Sequence, residues 1–343
     1  MECACKIVVV QGGEWFSLIV GTNVIMKLST HKVEVVRLNK IEPHPNADKM
    51  EIARVFGYVC CIGKGQFKVG DLAAYIPPDS IVPDTEQFKF LEGHHRIRVR
   101  KLRGIVSQGL LIEAPKGAKE GDDVAATIGV VHYEPPPNLR TGGQAERPPS
   151  VYAPYYDIDS YYRYPNLLAD GEEVIVTEKI HGANARYCWH NGRMWCGSHG
   201  EWKREDDNIV YWRIAHEKTW LAEWCKAHPD IVVYGEIYGA VQKNYSYGVK
   251  SGDVDFMVFD VMRGNNWIEY DEKFDGLKTH WVPLIYRGPF NRDEVIKMSN
   301  GQSLINGAAN GREGVVIRPA KERTCPEIGR VILKIVGSDY LLK

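Results

Sequence analysis

Four lysines in this chain stand three residues ahead of a glycine: Lys101, Lys179, Lys273 and Lys334. A lysine fixed at the end of a strand can attack a phosphorus atom and carry a nucleotide covalently. Its amine must then be neutral, against an ordinary pKa of ~10.4, so positive charge has to be gathered around it. Spacing alone does not choose among the four, because lysine and glycine are common. Their surroundings do. Lys179 follows the apolar run Val174-Ile175-Val176 and precedes an Ile-His-Gly turn. Lys273, in Lys-Phe-Asp-Gly, has no apolar strand before it and reads as an exposed turn. Lys101 belongs to a basic stretch, and Lys334 follows the apolar Val331-Ile332-Leu333.

An ordered series of strand-like words follows Lys179. They are Cys196-Gly197-Ser198-His199, Val233 to Gly239 around Glu236, and Asp255 to Val261 around Phe259. Arg312-Glu313-Gly314-Val315-Val316-Ile317-Arg318 comes next, and the run into Lys334 closes the series. Each puts a charged or aromatic residue at the edge of an apolar strand, and strands of that kind can line a nucleotide pocket. Between them, residues 207–228 carry Ile209, Trp212, Ala215, Trp220, Leu221 and Trp224 at roughly helical spacing, which predicts a core-facing helix. Residues 291–298 predict a second, short helix.

The order and wording of this series resemble the covalent nucleotidyltransferases, meaning ATP-dependent ligases and, more distantly, mRNA capping enzymes. Glu-Lys-Ile-His-Gly at 178–182 looks specifically like RNA ligases. The resemblance implies that Lys179 carries AMP, with Lys334 beside it as a second cation and phosphate contact. It implies Glu236 at the ribose, Phe259 stacked on adenine and Arg318 on phosphate. Glu313, with Glu236, would hold the shell of a Mg²⁺ or Mn²⁺ ion. Glu178, Ile180, Gly182, Asn184 and Ser198 would complete the nucleotide pocket; Asp260 reads as structural or peripheral. Three positions depart from the family pattern. His181 stands where many ligases have Asp, His199 where Arg is common, and Val336 where a second lysine is common. Lys203 or Arg204 would then supply the missing cation.

The first half reads differently. Strand-like stretches at 33–38, 52–61, 73–76, 97–100 and 109–112, punctuated by turn residues, predict a small β-barrel or sandwich. Arg96, Arg98 and Arg100 alternate with Ile97 and Val99, which in a strand puts three guanidinium groups on one face, suited to a phosphate backbone. His44-Pro45-Asn46-Ala47-Asp48-Lys49 reads physically as a turn. That word and Lys101 to Leu110 resemble OB-type tRNA-binding modules. An OB module ahead of the catalytic domain is similar to the fifth RNA ligase family.

Length and composition fit two soluble domains: 343 residues, 44% hydrophobic, 25% charged. A net charge of −1 excludes a generally basic nucleic-acid coat, so any polyanion site comes from local clusters. The eight cysteines form no C-x-x-C pair, which suits a reduced, intracellular (cytoplasmic) chain without structural zinc. No apolar stretch approaches the ~20 residues of a membrane span. Proline and glycine density around 135–149 marks a boundary.

The expected organisation is therefore an extension outside the fold at 1–25, with Met26 as a second start, and an all-β OB-type barrel at 26–134. A linker follows at 135–164. An α+β nucleotidyltransferase domain of antiparallel, ATP-grasp-like sheets with helices occupies 165–343. The expected activity is ATP-dependent joining of RNA ends by a monomer, on nicked duplex RNA or an RNA/DNA hybrid. A non-catalytic OB-type RNA-binding protein and a capping-like guanylyltransferase are the alternatives.

Overall fold

The computed structural model describes residues 31–133, 142–270 and 276–342, together with the backbone of 6–11 and 14–19. Lys273 and the Pro135-Pro136-Pro137 run lie outside the described residues, as does most of the expected 1–25 extension. Within that extension, Lys6–Gln11 and Glu14–Ile19 pair as an antiparallel hairpin, in a compact unit of its own that spans Met1–Thr30.

From residue 31 the chain builds two small antiparallel sheets. The strands are β1 (Glu34–Arg37), β2 (Ile41–Pro43), β3 (Met50–Val55), β4 (Tyr58–Gly63), β5 (Leu72–Ile76) and β6 (Leu110–Glu113). One sheet has the order β6-β5-β1, the other β2-β3-β4. The apolar residues that alternate along them meet in two clusters. Val36, Ala53, Cys60, Tyr75 and Leu111 form one; Val33, Val35, Ile76, Val82 and Ile112 form the other. The 44–49 word folds as the expected turn and meets the later basic word directly. His44 Nε2 lies 3.2 Å from the Leu102 carbonyl, and Asn46 donates to the Arg103 carbonyl at 2.9 Å.

The stretch at 97–100 is not the regular strand its alternation predicts. Only an isolated bridge at Arg96 and a short strand, Arg100–Leu102, flank it. Its hydrogen bonds go to the short strand Ser80–Ile81 and the residue before it: Ile97 N–H donates to Ser80 O, and the Ile97 carbonyl accepts Asp79 N–H, both at 2.8 Å. The side chains still alternate, Ile97 and Val99 buried, Arg98 and Arg100 exposed.

The second half is built on two sheets with helices, antiparallel except for the edge strand Asp159–Ser160, which runs parallel to Leu333–Val336. A five-stranded sheet joins Asp159–Ser160, β14 (Leu333–Val336), β13 (Gly314–Pro319), β7 (Glu173–Lys179) and β12 (Leu284–Pro289), in that order. A seven-stranded sheet has β9 (Arg193–Ser198), β8 (Ala183–His190), β10 (Ile231–Gly239) and β11 (Val254–Arg263) at its centre. The segment read as a linker supplies strands to both sheets: Ala145–Glu146 pairs with Trp202–Lys203, and Asp159–Ser160 with Leu333–Lys334.

The helix expected over 207–228 is two, α1 (Val210–Glu217) and α2 (Thr219–Ala227). Lys218 breaks them with a non-helical backbone (φ −94, ψ 78), its amine paired with Asp255 at 2.7 Å. The apolar face still packs on the seven-stranded sheet, through Trp212, Ile214, Leu221 and Trp224. Helix α3 (Arg292–Met298) starts at Asn291, whose side chain accepts Glu294 N–H at 3.1 Å, an N-cap of ordinary form.

Glycines let the strands that carry the charged words approach closely. A Cβ on Gly182 would lie 2.0 Å from the Ile237 carbonyl oxygen, and one on Gly314 2.1 Å from that of Ile335. Gly182→Ala is therefore expected to lower domain stability by about 1–3 kcal/mol, seen as a lower urea midpoint at unchanged slope. Gly200→Ala, where a Cβ meets nothing within 4 Å, serves as the near-neutral control. Equal midpoints for the two variants contradict the close-approach reading.

Candidate active site

Strand β7 runs apolar and fully buried through Val174, Ile175 and Val176, then delivers Lys179 opposite Gly314 in the ladder to β13. Glu313, one residue before β13, accepts the Lys179 ammonium at 2.7 Å. From the other sheet, β10 brings Glu236 opposite Asn184 of β8. β14 brings Lys334 opposite Val316. Both sheets line a cavity of ≈ 230 Å³ bordered by Lys179, Ile180, Asn184, Glu236, Phe259 and Lys334. Lys101 belongs to the first half, in a short strand with Ile105–Ser107, and does not border it.

Electrostatics in this cavity run against a simple picture of a primed nucleophile. Burial opposes a charge on Lys179, but Glu313 and Glu236 outweigh it and hold the amine above its ordinary value. Lys334 goes the other way: burial lowers it, and the Lys179 charge lowers it further. Burial pushes Glu236 up to about 8, with Lys179 pulling against that and Glu313 adding to it. The cluster is thus two carboxylates and two amines in competition. Its balance shifts toward a neutral Lys179 when another cation takes the carboxylates.

The donor set fits such a cation. Glu313 Oε2 is buried without a hydrogen-bond partner among the described residues, and the second carboxylate, Glu236, is costly to ionise there. Carboxylate oxygens suit magnesium or manganese, which keep several waters and share ligands with a phosphate. No group of three or more His, Cys, Asp or Glu side chains forms a closed metal cage among the described residues.

Other predicted residues have different jobs. Arg318 borders the cavity, and two of its guanidinium nitrogens are held from behind while its Nε has no hydrogen-bond partner among the described residues. It donates to Asp260 Oδ1 at 3.1 Å and to the Phe259 carbonyl at 2.8 Å. Asp260 is a fully buried hub that also accepts two bonds from Arg330, at 2.6 and 3.0 Å, and the Tyr156 hydroxyl at 2.5 Å. Burial alone would raise this carboxyl, yet Arg330 and Arg318 hold it low. Arg318 thereby fixes the main chain of the strand that presents Phe259.

Glu178 also borders the cavity; its Oε2 accepts Leu304 N–H at 2.7 Å, and its Oε1 is buried without a hydrogen-bond partner among the described residues. Ser198 turns to the Glu201 carbonyl and lies off the cavity, and Gly182 serves the close strand approach. Neither Lys203, paired with Glu201 at 2.8 Å, nor Arg204, bonded to Gln144 at 3.0 Å, reaches the cavity. His199 does border it, 3.2 Å from Asp157. On the first half, Arg96 is held by Asp79 at 2.6 Å and lies over the Tyr133 ring, which leaves Arg98 and Arg100 as the exposed guanidinium groups of the three.

Tyr156, Asp157, Ile158 and Thr177 also border the cavity, and sequence reasoning missed them. Thr177 had a readable signal, because a residue two before Lys179 in a strand shares its face.

Residues 172–336 match the RNA ligase family, and residues 32–114 match an OB-fold domain. The first of these stretches carries the strands and the two lysines of the cavity. Together the two matches give an RNA-ligase-type enzyme with an OB-fold module ahead of an α+β nucleotidyltransferase domain. No curated protein matches the chain. Among solved structures, a Naegleria gruberi RNA ligase mutant with ATP and Mn is similar at 22% identity and a TM-score of 0.77, covering 90% of this chain and 97% of that one. Naegleria gruberi RNA ligase with PPi is similar at 23% identity and 0.76, covering 90% and 98%. Both likenesses concern the fold. No described helix is long and apolar enough to cross a membrane.

The Glu236 environment gives this RNA-ligase-type site a pH signature. Its folded value is raised from 4.5, so the stability it contributes is complete below that value and is lost as pH rises through about 8. In thermal unfolding without divalent cation, Glu236→Gln should match the wild type near pH 5 and exceed it increasingly toward pH 9. A gap that shrinks or reverses with rising pH contradicts the assignment.

Proposed function

We propose that the chain is an ATP-dependent RNA ligase that joins an RNA 3′-hydroxyl to a 5′-phosphate, at nicks in a duplex. The observation that carries this reading is one cavity between two sheets, with Lys179 paired to Glu313, Lys334 and Glu236 beside them, and Phe259 on its wall. Lys179 Nζ, once deprotonated, attacks the α-phosphorus of ATP. An N–P bond forms, the P–O bond to pyrophosphate breaks, and Lys179 holds AMP. Lys334, with its own pKa lowered by burial, sits where it can meet the phosphate charge. Phe259 gives the adenine a face to stack on, held from behind by Arg318.

In the second step an oxygen of the RNA 5′-phosphate attacks the same phosphorus. The N–P bond breaks and the amine returns to Lys179. In the third step the 3′-hydroxyl attacks the RNA phosphorus, loses its proton, and AMP departs. Glu313 Oε2 and Glu236 are the side chains that would hold a magnesium or manganese ion. When bound, that ion supplies charge neutralisation for the phosphates and relieves the carboxylate grip on Lys179. The exposed Arg98 and Arg100 would hold the nucleic-acid backbone, with Arg96 reserved for Asp79. Six described cysteines are free thiols, which suits a reducing, intracellular setting, and the chain would act as a monomer.

Incubation with α-labelled ATP and Mn²⁺ should give a covalent protein adduct, absent with Lys179→Ala and much weaker with α-labelled GTP. As an N–P bond requires, the adduct should survive denaturing gel electrophoresis and alkali and be released by hot acid. A wild-type chain without label, or a Lys179→Ala chain that labels, rejects the reading. Arg98→Glu/Arg100→Glu should label normally and seal a nicked RNA duplex at least about tenfold more slowly, with a shallower salt dependence. Unimpaired sealing removes the proposed backbone contact.

A further inference from the structure

The two oxygens of Glu313 have unlike surroundings. Oε1 takes the Lys179 ammonium at 2.7 Å. Oε2 is buried, has no hydrogen-bond partner among the described residues, and lies 3.8 Å from His181 Nδ1. That separation is too long for a hydrogen bond. Nδ1 is instead 3.2 Å from the Tyr340 hydroxyl. Whichever of those two atoms carries the shared proton, the bond commits Nδ1 to Tyr340 and leaves Oε2 without a donor.

The rest of the surroundings keeps that arrangement in place. The His181 ring stands edge-on to Tyr340 and Tyr245, with centroids 5.4 and 5.1 Å away. Its main-chain N–H donates to the Tyr247 hydroxyl at 2.8 Å. Tyr340 sits on a short helix, α4 (Ser338–Leu341), whose first turn is fastened by Asn300, the Oδ1 of which accepts Asp339 N–H at 3.0 Å. The residue before that helix, Gly337, donates to the Glu313 carbonyl at 2.9 Å and packs so tightly that a Cβ would lie 2.5 Å from Ser299 O. One segment therefore holds both the main chain of Glu313 and the side chain that restrains His181.

We propose that Tyr340 is a positioning residue that turns His181 away from Glu313 and so keeps Oε2 free for the divalent cation. The inference rests on the metal role given to Glu313 above. An imidazole N–H released from Tyr340 needs only a small ring rotation to close the 3.8 Å gap and occupy that oxygen. A neighbouring side chain then competes with the cation for its ligand. Groups around a ligand set typically change metal affinity by about 10–100-fold when altered.

Tyr340→Phe separates these effects, because it keeps the ring against His181 and removes only the hydroxyl. Mn²⁺ alone is titrated into the full chain and the free ion is counted by electron paramagnetic resonance, with thermal unfolding as the check on folding. Tyr340→Phe is expected to bind Mn²⁺ about tenfold more weakly. The double variant His181→Ala/Tyr340→Phe, which has no imidazole to swing, is expected to recover most of that loss. Wild-type affinity in Tyr340→Phe, or a double variant as weak as the single one, overturns the proposal. So does a wild-type chain that binds no Mn²⁺. In that case the labelled lysine adduct still decides the ligase reading on its own.

Discussion

The ion pair between Lys179 and Glu313, 2.7 Å long, is the constraint on which the rest of the site depends. A lysine half-buried between two sheets without a partner would turn to solvent or lose its charge. Paired, it stays charged and in register, and the cavity can be preformed around it. The same pair forbids attack, since a protonated amine has no lone pair to offer. A ground state that is safe and a reactive state that needs a third charge are thus built from one contact. Glu236 tilts that balance toward retaining the proton, and the charge on Lys179 in turn lowers the pKa of Lys334 beside it.

Strand geometry makes the contact possible. Lys179 ends a fully apolar strand, so its main chain is fixed by buried ladder bonds to β12 and β13. Glu313 enters immediately before β13, and a glycine follows it because the neighbouring Ile335 carbonyl leaves no room for a Cβ. Phe259 owes its place to a deeper layer, where Asp260 gathers Arg318, Arg330 and Tyr156, and Glu322 on Arg330 supplies the second carboxylate. Breaking such a buried network exposes its remaining charges to the apolar interior, which makes it costly and rigid. Stiffness there serves the adenine wall as much as the fold.

The parts legible in the sequence were those with one-dimensional signatures. An apolar run ending in Lys179, glycine beside Glu236 and Glu313, and the order of the words placed both sheets and the centre of the site. The alternation of Arg96 to Arg100 gave the right faces although the backbone bonds of Ile97 go to Asp79 and Ser80 and not to a regular ladder. What the sequence hid depends on contacts between distant segments. The supporting role of Arg318 was hidden because its buried partner, Asp260, lies 58 residues away in the chain. Residues 142–164 looked like a linker because their proline and tyrosine content resembles one, yet short edge strands need only two residues to join a sheet. His181 seemed a loss relative to aspartate until Tyr340, 159 residues on, showed what holds its ring.

The proton on Lys179 is the most direct test of how this site works. A ¹³C-labelled lysine side chain, assigned by comparison with Lys179→Arg, can be titrated by NMR in the free chain and again with saturating Mg²⁺. Without the ion, the Lys179 pKa should lie above that of an ordinary lysine, because Glu313 and Glu236 hold the charge. With the ion it should fall below that value. A Lys179 pKa that is already depressed in the free chain, or one that Mg²⁺ leaves unmoved, contradicts the carboxylate clamp.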